Sequence, residues 1–127
     1  MSNTIIGLSV DAADAAAIAG FWAEALGGQV AAGADQGYAV VAIGPAAVSV
    51  PRLVFHQVPE GKTVKNRLHL DLAATDWEAE IGRLTDLGAT RIRDVQQNGA
   101  RWITLADPEG SEFDLVRGPR PSGLMAR

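Results

Sequence analysis

The chain has 127 residues, 47% of them apolar and 20% charged, which suits one packed domain and argues against wholesale disorder. Its net charge is -4 with no basic block, so nucleic-acid binding through phosphate neutralisation has no support. It has no cysteine, which excludes disulfides, thiolate metal sites and a cysteine nucleophile. The stretch "MSNTIIGLSVDAADAA" carries no basic residue, and Asp11 and Asp14 interrupt its apolar run. No segment approaches the roughly 18 apolar residues that span a bilayer. The expectation is a cytoplasmic protein with no secretory signal and no membrane partner.

In chain order, "TIIGLSV" places Ile6, Leu8 and Val10 in period two, the pattern of a half-buried strand. "DAAD" then supplies helix-start carboxylates, and Ile18, Phe21, Trp22, Ala25 and Leu26 recur at helical spacing up to Gly27-Gly28. Three β-type runs follow, "GQVAAG", "GYAVVAIG" and "PRLVFHQV", separated by turn residues. The polar "PEGKTVKN" reads as a linker, after which the pattern restarts. "RLHLDLA" predicts a strand. Thr75 and Glu78 have capping-box spacing at the head of a helix whose apolar stripe is Trp77, Ile81 and Leu84. "ATRIRDV", "ARWITLA" and "SEFDLVR" complete a second set of three strands, and the Pro/Gly-rich "GPRPSGLMAR" reads as a tail.

The two halves repeat one order: strand, helix, three strands. "ALGG" closes the first helix and "DLGA" the second, about 61 residues further on. The prediction is an α+β chain of two βαβββ modules in a single domain spanning residues 1–127. Module one covers about 4–58, a linker 59–66, module two about 67–117 and the tail 118–127. Neither half alone can bury both its helix and its sheet, and a sheet face left free is where ligands bind.

Three motifs, "FWAEALGG", "NRLHLDL" and "LADPEGSEFDLV", make this order resemble the vicinal oxygen chelate superfamily, which includes glyoxalase I, extradiol dioxygenases and bleomycin-resistance proteins. The likeness runs from about Ile5 to Val116 and is nearest to the small glyoxalase-like, bleomycin-resistance-like branch. It implies paired βαβββ modules forming a cupped mixed β-sheet, often in a homodimer. It does not fix the reaction, because the superfamily hosts different chemistries on one frame.

In that superfamily the metal ligands come from the first and last strands of each module. By this resemblance His69 matches the first-strand position of module two and Asp114 its last-strand carboxylate. Period two puts Glu112, Asp114 and Val116 on one face of the strand, with Phe113 and Leu115 on the other. His56 is aligned with the last-strand position of module one, where a one-residue slip would select Phe55 or Gln57. The first-strand position falls on Gly7 or Leu8, neither of which offers a ligand. His56, His69 and Asp114 would suit Fe, Zn, Mn or Ni, and a metal-free pocket is the other reading.

Asp71 stands beside His69, and Tyr38 and Trp102 on predicted strands could flank a flat ligand. Arg52, Arg67 and Arg101 could bind a carboxylate bidentately, with plain surface exposure the favoured reading for each. Trp22 and Trp77 belong to helical stripes and read as core, while Asp107-Pro108-Glu109-Gly110 reads as turn chemistry. No P-loop, GxGxxG, GxSxG or HExxH pattern is present. The leading reading is a glyoxalase-like protein binding a small molecule in its sheet cup. The alternatives are a metal-dependent lyase, isomerase or dioxygenase, and a drug-sequestering protein holding a cationic antibiotic, which the acidic balance would tolerate.

Overall fold

A computed structural model describes residues 2–43 and 51–117. The expected tail 118–127 and the end of the "GYAVVAIG" run lie outside them. The described chain forms two compact units, Met1–Lys62 and Thr63–Arg127, dividing within the segment read as a linker. No helix among the described residues is long and apolar enough to cross a membrane.

In the first unit, β1 (Gly7–Ala12) keeps the period-two pattern, with Ile5 and Ile6 exposed ahead of it. Asp14 then caps α1 (Ala15–Leu26), its side chain accepting from Ala17 N–H at 3.1 Å. Such a cap satisfies an amide that has no partner inside the helix. The helix ends at Gly27, whose φ of 66° is the left-handed geometry expected at that glycine pair. Ile18, Phe21 and Trp22 on α1 are buried with Val41 of β3 (Tyr38–Ala42) and with Leu53 and Phe55 of β4 (Arg52–Gln57). A short β2 (Gln29–Val30) completes a mixed sheet of order β1-β4-β3-β2, in which β1 and β4 are parallel.

The second unit repeats this plan with β5 (Asp71–Ala74), α2 (Trp77–Asp86), β6 (Thr90–Gln97), β7 (Ala100–Ala106) and β8 (Glu112–Arg117), in the order β5-β8-β7-β6. Trp77, Ile81 and Leu84 are buried on α2, as their spacing predicts, together with Ile103, Leu105, Phe113 and Leu115. Burying each such side chain contributes about 1.5–3 kcal/mol. The Trp77 indole N–H donates to the Leu115 carbonyl at 2.9 Å, so the polar edge of the largest core side chain is satisfied. Strands β6 and β7 join through Asn98-Gly99, both at positive φ (52° and 79°), the two-residue turn that matches strand twist.

The cap of α2 differs from expectation. Asp76 takes the position, accepting from Ala79 N–H at 3.2 Å, so the expected Thr75–Glu78 box is not the device used. Asp is as good a cap as Thr, and moving the start by one residue brings Trp77 to the first helical position. Asp76→Ala should therefore lower stability by about 1 kcal/mol. Thr75→Ala should stay within about 0.5 kcal/mol of wild type. Urea unfolding of the two variants separates these positions.

Candidate functional site

The last strand of the second unit decides what the sheet can do. In β8, Phe113 and Leu115 are buried on the side where α2 packs, while Glu112, Asp114 and Val116 are partly accessible on the other. The expected alternation is therefore present, and the face away from the helix carries the polar side chains. On that face the register aligns Asp71 of β5 with Asp114 of β8, Asp114 with Thr104 of β7, and Thr104 with Arg93 of β6. One row thus crosses all four strands, at about 4.8 Å per step.

At the β5 end of the row His69 Nδ1 lies 3.1 Å from Asp71 Oδ1 and 3.7 Å from Asp114 Oδ2. His69 sits just ahead of β5 rather than within it, although Asp114 N–H still bonds to the Leu70 carbonyl at 2.9 Å. Ahead of the strand, Asn66 also bonds to β8. Its N–H donates to Glu112 Oε1 at 3.1 Å, and its side-chain amide, turned with the oxygen toward Glu112 N–H, meets that group at 3.3 Å. A side-chain clasp replaces the ladder there. Asp114 is held from the other side by the Thr104 hydroxyl, which donates to Oδ1 at 2.6 Å. One ligand atom from each of His69, Asp71 and Asp114 can be chosen so that all lie within 4.8 Å of one another, a separation that would let them share a cation.

A cavity of about 310 Å³ opens over this face, lined by Lys65, His69, Arg93, Val95, Trp102, Thr104, Glu112 and Asp114. Arg93 reaches it through a β-bulge. Arg91 pairs with Leu105 and Arg93 with Thr104, so Ile92 is an extra residue. Unbroken alternation would have set Ile92 opposite Thr104; the bulge puts Arg93 there and leaves Ile92 46% exposed.

Of the residues expected at a site, His69, Asp114 and Trp102 line this cavity, and Asp71 stands beside His69. Tyr38 and His56 belong to the first unit, where they are register partners with ring centroids 5.3 Å apart. The register also corrects the alignment of His56. Counting back from the two helix caps, Ser9 takes the place of Asp71 and Gly7 that of His69. Ser9 pairs with Val54 as Asp71 pairs with Asp114, and the buried Leu53 and Phe55 flank Val54 as Phe113 and Leu115 flank Asp114. Module one therefore presents Gly7 and Val54 where module two presents His69 and Asp114, and His56 corresponds to Val116.

None of the three arginines considered as carboxylate binders lines the cavity. Arg101 is engaged elsewhere: it donates to Asp94 Oδ2 at 2.9 Å and lies 5.0 Å from the centre of the Trp77 ring. Its hydrogen bond holds the Asp94 carboxyl below the usual range, and Asp94 in turn holds the guanidinium up. Arg52 and Arg67 are exposed and do not line the cavity. Lys65, Arg93, Val95, Thr104 and Glu112 are the cavity residues that the sequence did not single out as ligand contacts.

A family model described as a glyoxalase-like domain matches residues 7–116. No curated protein matches the chain. Among solved structures, a glyoxalase/bleomycin resistance protein/dioxygenase family enzyme from Burkholderia phytofirmans is 14% identical, with a TM-score of 0.70 over 90% of this chain and 98% of that one. The fosfomycin resistance protein FosX from Listeria monocytogenes, solved as a mutant with Mn(II) and a dihydroxypropylphosphonic acid, is 13% identical. It has a TM-score of 0.72 over 94% of this chain and 93% of that one. The oxidase ChaP-H2 is 21% identical, with a TM-score of 0.62 over 97% and 99%. At these identities the structures share the fold.

Two outcomes follow from the geometry. Thr104→Val should cost about 1.5 kcal/mol in equilibrium unfolding, because it removes a hydrogen bond to a partly buried carboxylate, while Thr104→Ser should restore most of it. Arg101→Ala should raise the Asp94 pKa toward the ordinary carboxylate value, read by NMR titration. The sign follows: the pair's contribution is full above the unfolded carboxylate pKa and is lost as pH falls through the depressed folded value.

Proposed function

The chain belongs to the glyoxalase-like domain family, and from that footing we propose that it binds a small molecule on the open face of its second sheet. The observation that carries this reading is the cavity of about 310 Å³ with convergent polar groups and Trp102 on its wall. That size suits a compact ligand, near the lower end of small-molecule pockets. Trp102 offers an indole edge or face to an unsaturated ligand, and His69, set between two carboxylates, can hold or accept a proton from one of its oxygens.

A second reading rests on a separate observation, the clustering of His69, Asp71 and Asp114. One imidazole and two carboxylates form a hard-to-borderline donor set suited to Mn, Fe or Zn. The cluster shares His69 and Asp114 with the expected set and holds Asp71 as its third member, while His56 lies on β4 of the first unit. A divalent ion held by these three residues would supply Lewis-acid polarisation of a bound oxygen. The surrounding residues would orient that oxygen, with Thr104 fixing the Asp114 carboxylate from behind.

The binding reading is tested by ligand-observed and amide-resolved NMR with a library of small oxygenated compounds. Hits should shift the Trp102 indole and the amides of β7 and β8, and Trp102→Ala should weaken them by about tenfold. A library whose members never perturb these resonances would sink the reading. For the metal, protein loaded with Mn, Fe, Zn or Ni and desalted should retain close to one ion per chain, lost in His69→Ala and Asp114→Ala. Equal retention by wild type and both variants would remove the second reading.

A further inference from the structure

We infer that the ligand of this pocket carries an oxyanion, a carboxylate or phosphonate, seated on Arg93 and Lys65, with a second oxygen directed to the His69–Asp114 end. This rests on the small-molecule reading above and assigns that ligand's chemical class. The wall contains two carboxylates and two flexible cations, and their occupation differs. Glu112 accepts from Asn66, and Asp114 accepts from Thr104 and lies beside His69. Both acids are therefore provided with donors by the protein itself. Among the described residues, the side chains of Arg93 and Lys65 make no hydrogen bond or ion pair, whereas Arg83 and Arg101 are each paired to a carboxylate. The unpaired charge on the cavity wall is thus cationic, although the chain as a whole is acidic.

Position strengthens the inference. Arg93 is on the pocket face only because of the extra residue at Ile92, and bulges recur where a strand re-aims a side chain toward a site. Lys65 is set by the neighbouring Asn66–Glu112 clasp, which fixes the backbone next to it. Along the register row, Arg93 and Asp114 stand two strands apart, about 10 Å between backbones, with Thr104 between them. An arginine fork reaching inward from one end leaves room for a molecule of one ring or a short chain. Its acid group would meet the guanidinium bidentately and its far oxygen would face His69. Trp102, one row along on β7, offers such a ring a flat neighbour. The pattern selects small planar or short-chain hydroxy acids over the cationic ligands that the net charge alone would favour.

The test compares 4-hydroxybenzoate, phenylphosphonate, phenol and benzylamine as probes by amide-resolved NMR titration of the full chain. The two acids should bind about tenfold or more tighter than phenol, with benzylamine weakest, and their affinity should fall as salt rises. Arg93→Ala should bring the acids down to the level of phenol, Arg93→Lys should retain part of the preference, and in both variants the acids should lose several-fold more affinity than phenol. Arg93 is exposed, so these variants keep the fold, and the unperturbed amides of α2 check this in the same spectra. Phenol binding as tightly as the acids at the Trp102 resonances would overturn the inference while leaving the small-molecule reading standing. An acid preference that survives Arg93→Ala and Lys65→Ala together would overturn it too. Probes that perturb no pocket resonance would count against this assignment, and the broader library above then decides separately whether the pocket binds anything.

Discussion

The second module depends on one-sided burial. A four-stranded sheet with a single helix has one face that must be apolar and one that need not be, and β8 runs down the middle of that division. Phe113 and Leu115 fasten the strand to α2, with the Trp77 indole closing on the Leu115 carbonyl. The same alternation obliges Glu112, Asp114 and Val116 to face away. A polar site here costs the core nothing, since its residues occupy positions the core cannot use. Both the position of Asp114 and the reach of its partners follow from that constraint.

The modules share a plan and differ in what they place on the free face. Helix N-caps, sheet order and buried positions correspond closely. At the rows that matter, Gly7, Val54 and Val40 stand against His69, Asp114 and Thr104. The aromatic position is retained, since Tyr38 and Trp102 occupy equivalent places on β3 and β7. The repeat has thus kept its architecture in both copies while concentrating hydrogen-bonding groups in the second. Membership of the glyoxalase-like family describes the frame, and the side chains on one face of one sheet carry the individuality.

Periodicity made the frame legible. Strand alternation, the Trp77-Ile81-Leu84 stripe and the repeat identified both modules, and the face assigned to Asp114 was correct because β8 runs without interruption. Three features were hidden for physical reasons. Arg93 lies beyond a bulge, and plain alternation through "TRIRDV" turns Ile92 inward instead. Thr104 sits in "WITLA", which reads as an apolar strand and gives no sign of a hydroxyl paired across to Asp114. His56 was placed on the right strand but two residues along it. A slip of two preserves which face a side chain occupies, so period-two reasoning could not detect it. The cap of α2 was displaced by one residue because Thr75 and Asp76 are both competent cap formers.

The way each pair of strands is joined also orders how the pocket comes into being. Strands β6 and β7 meet across a two-residue turn, so the wall bearing Arg93, Trp102 and Thr104 can assemble from local chain alone. Strands β5 and β8 run parallel and join the beginning of the module to its end, which requires closing a loop that contains everything else. The Arg93 side of the pocket therefore needs only the local β6–β7 hairpin. The His69–Asp114 end exists only when the module is complete, and partial unfolding that frees β5 would dismantle that end while leaving the arginine wall in place.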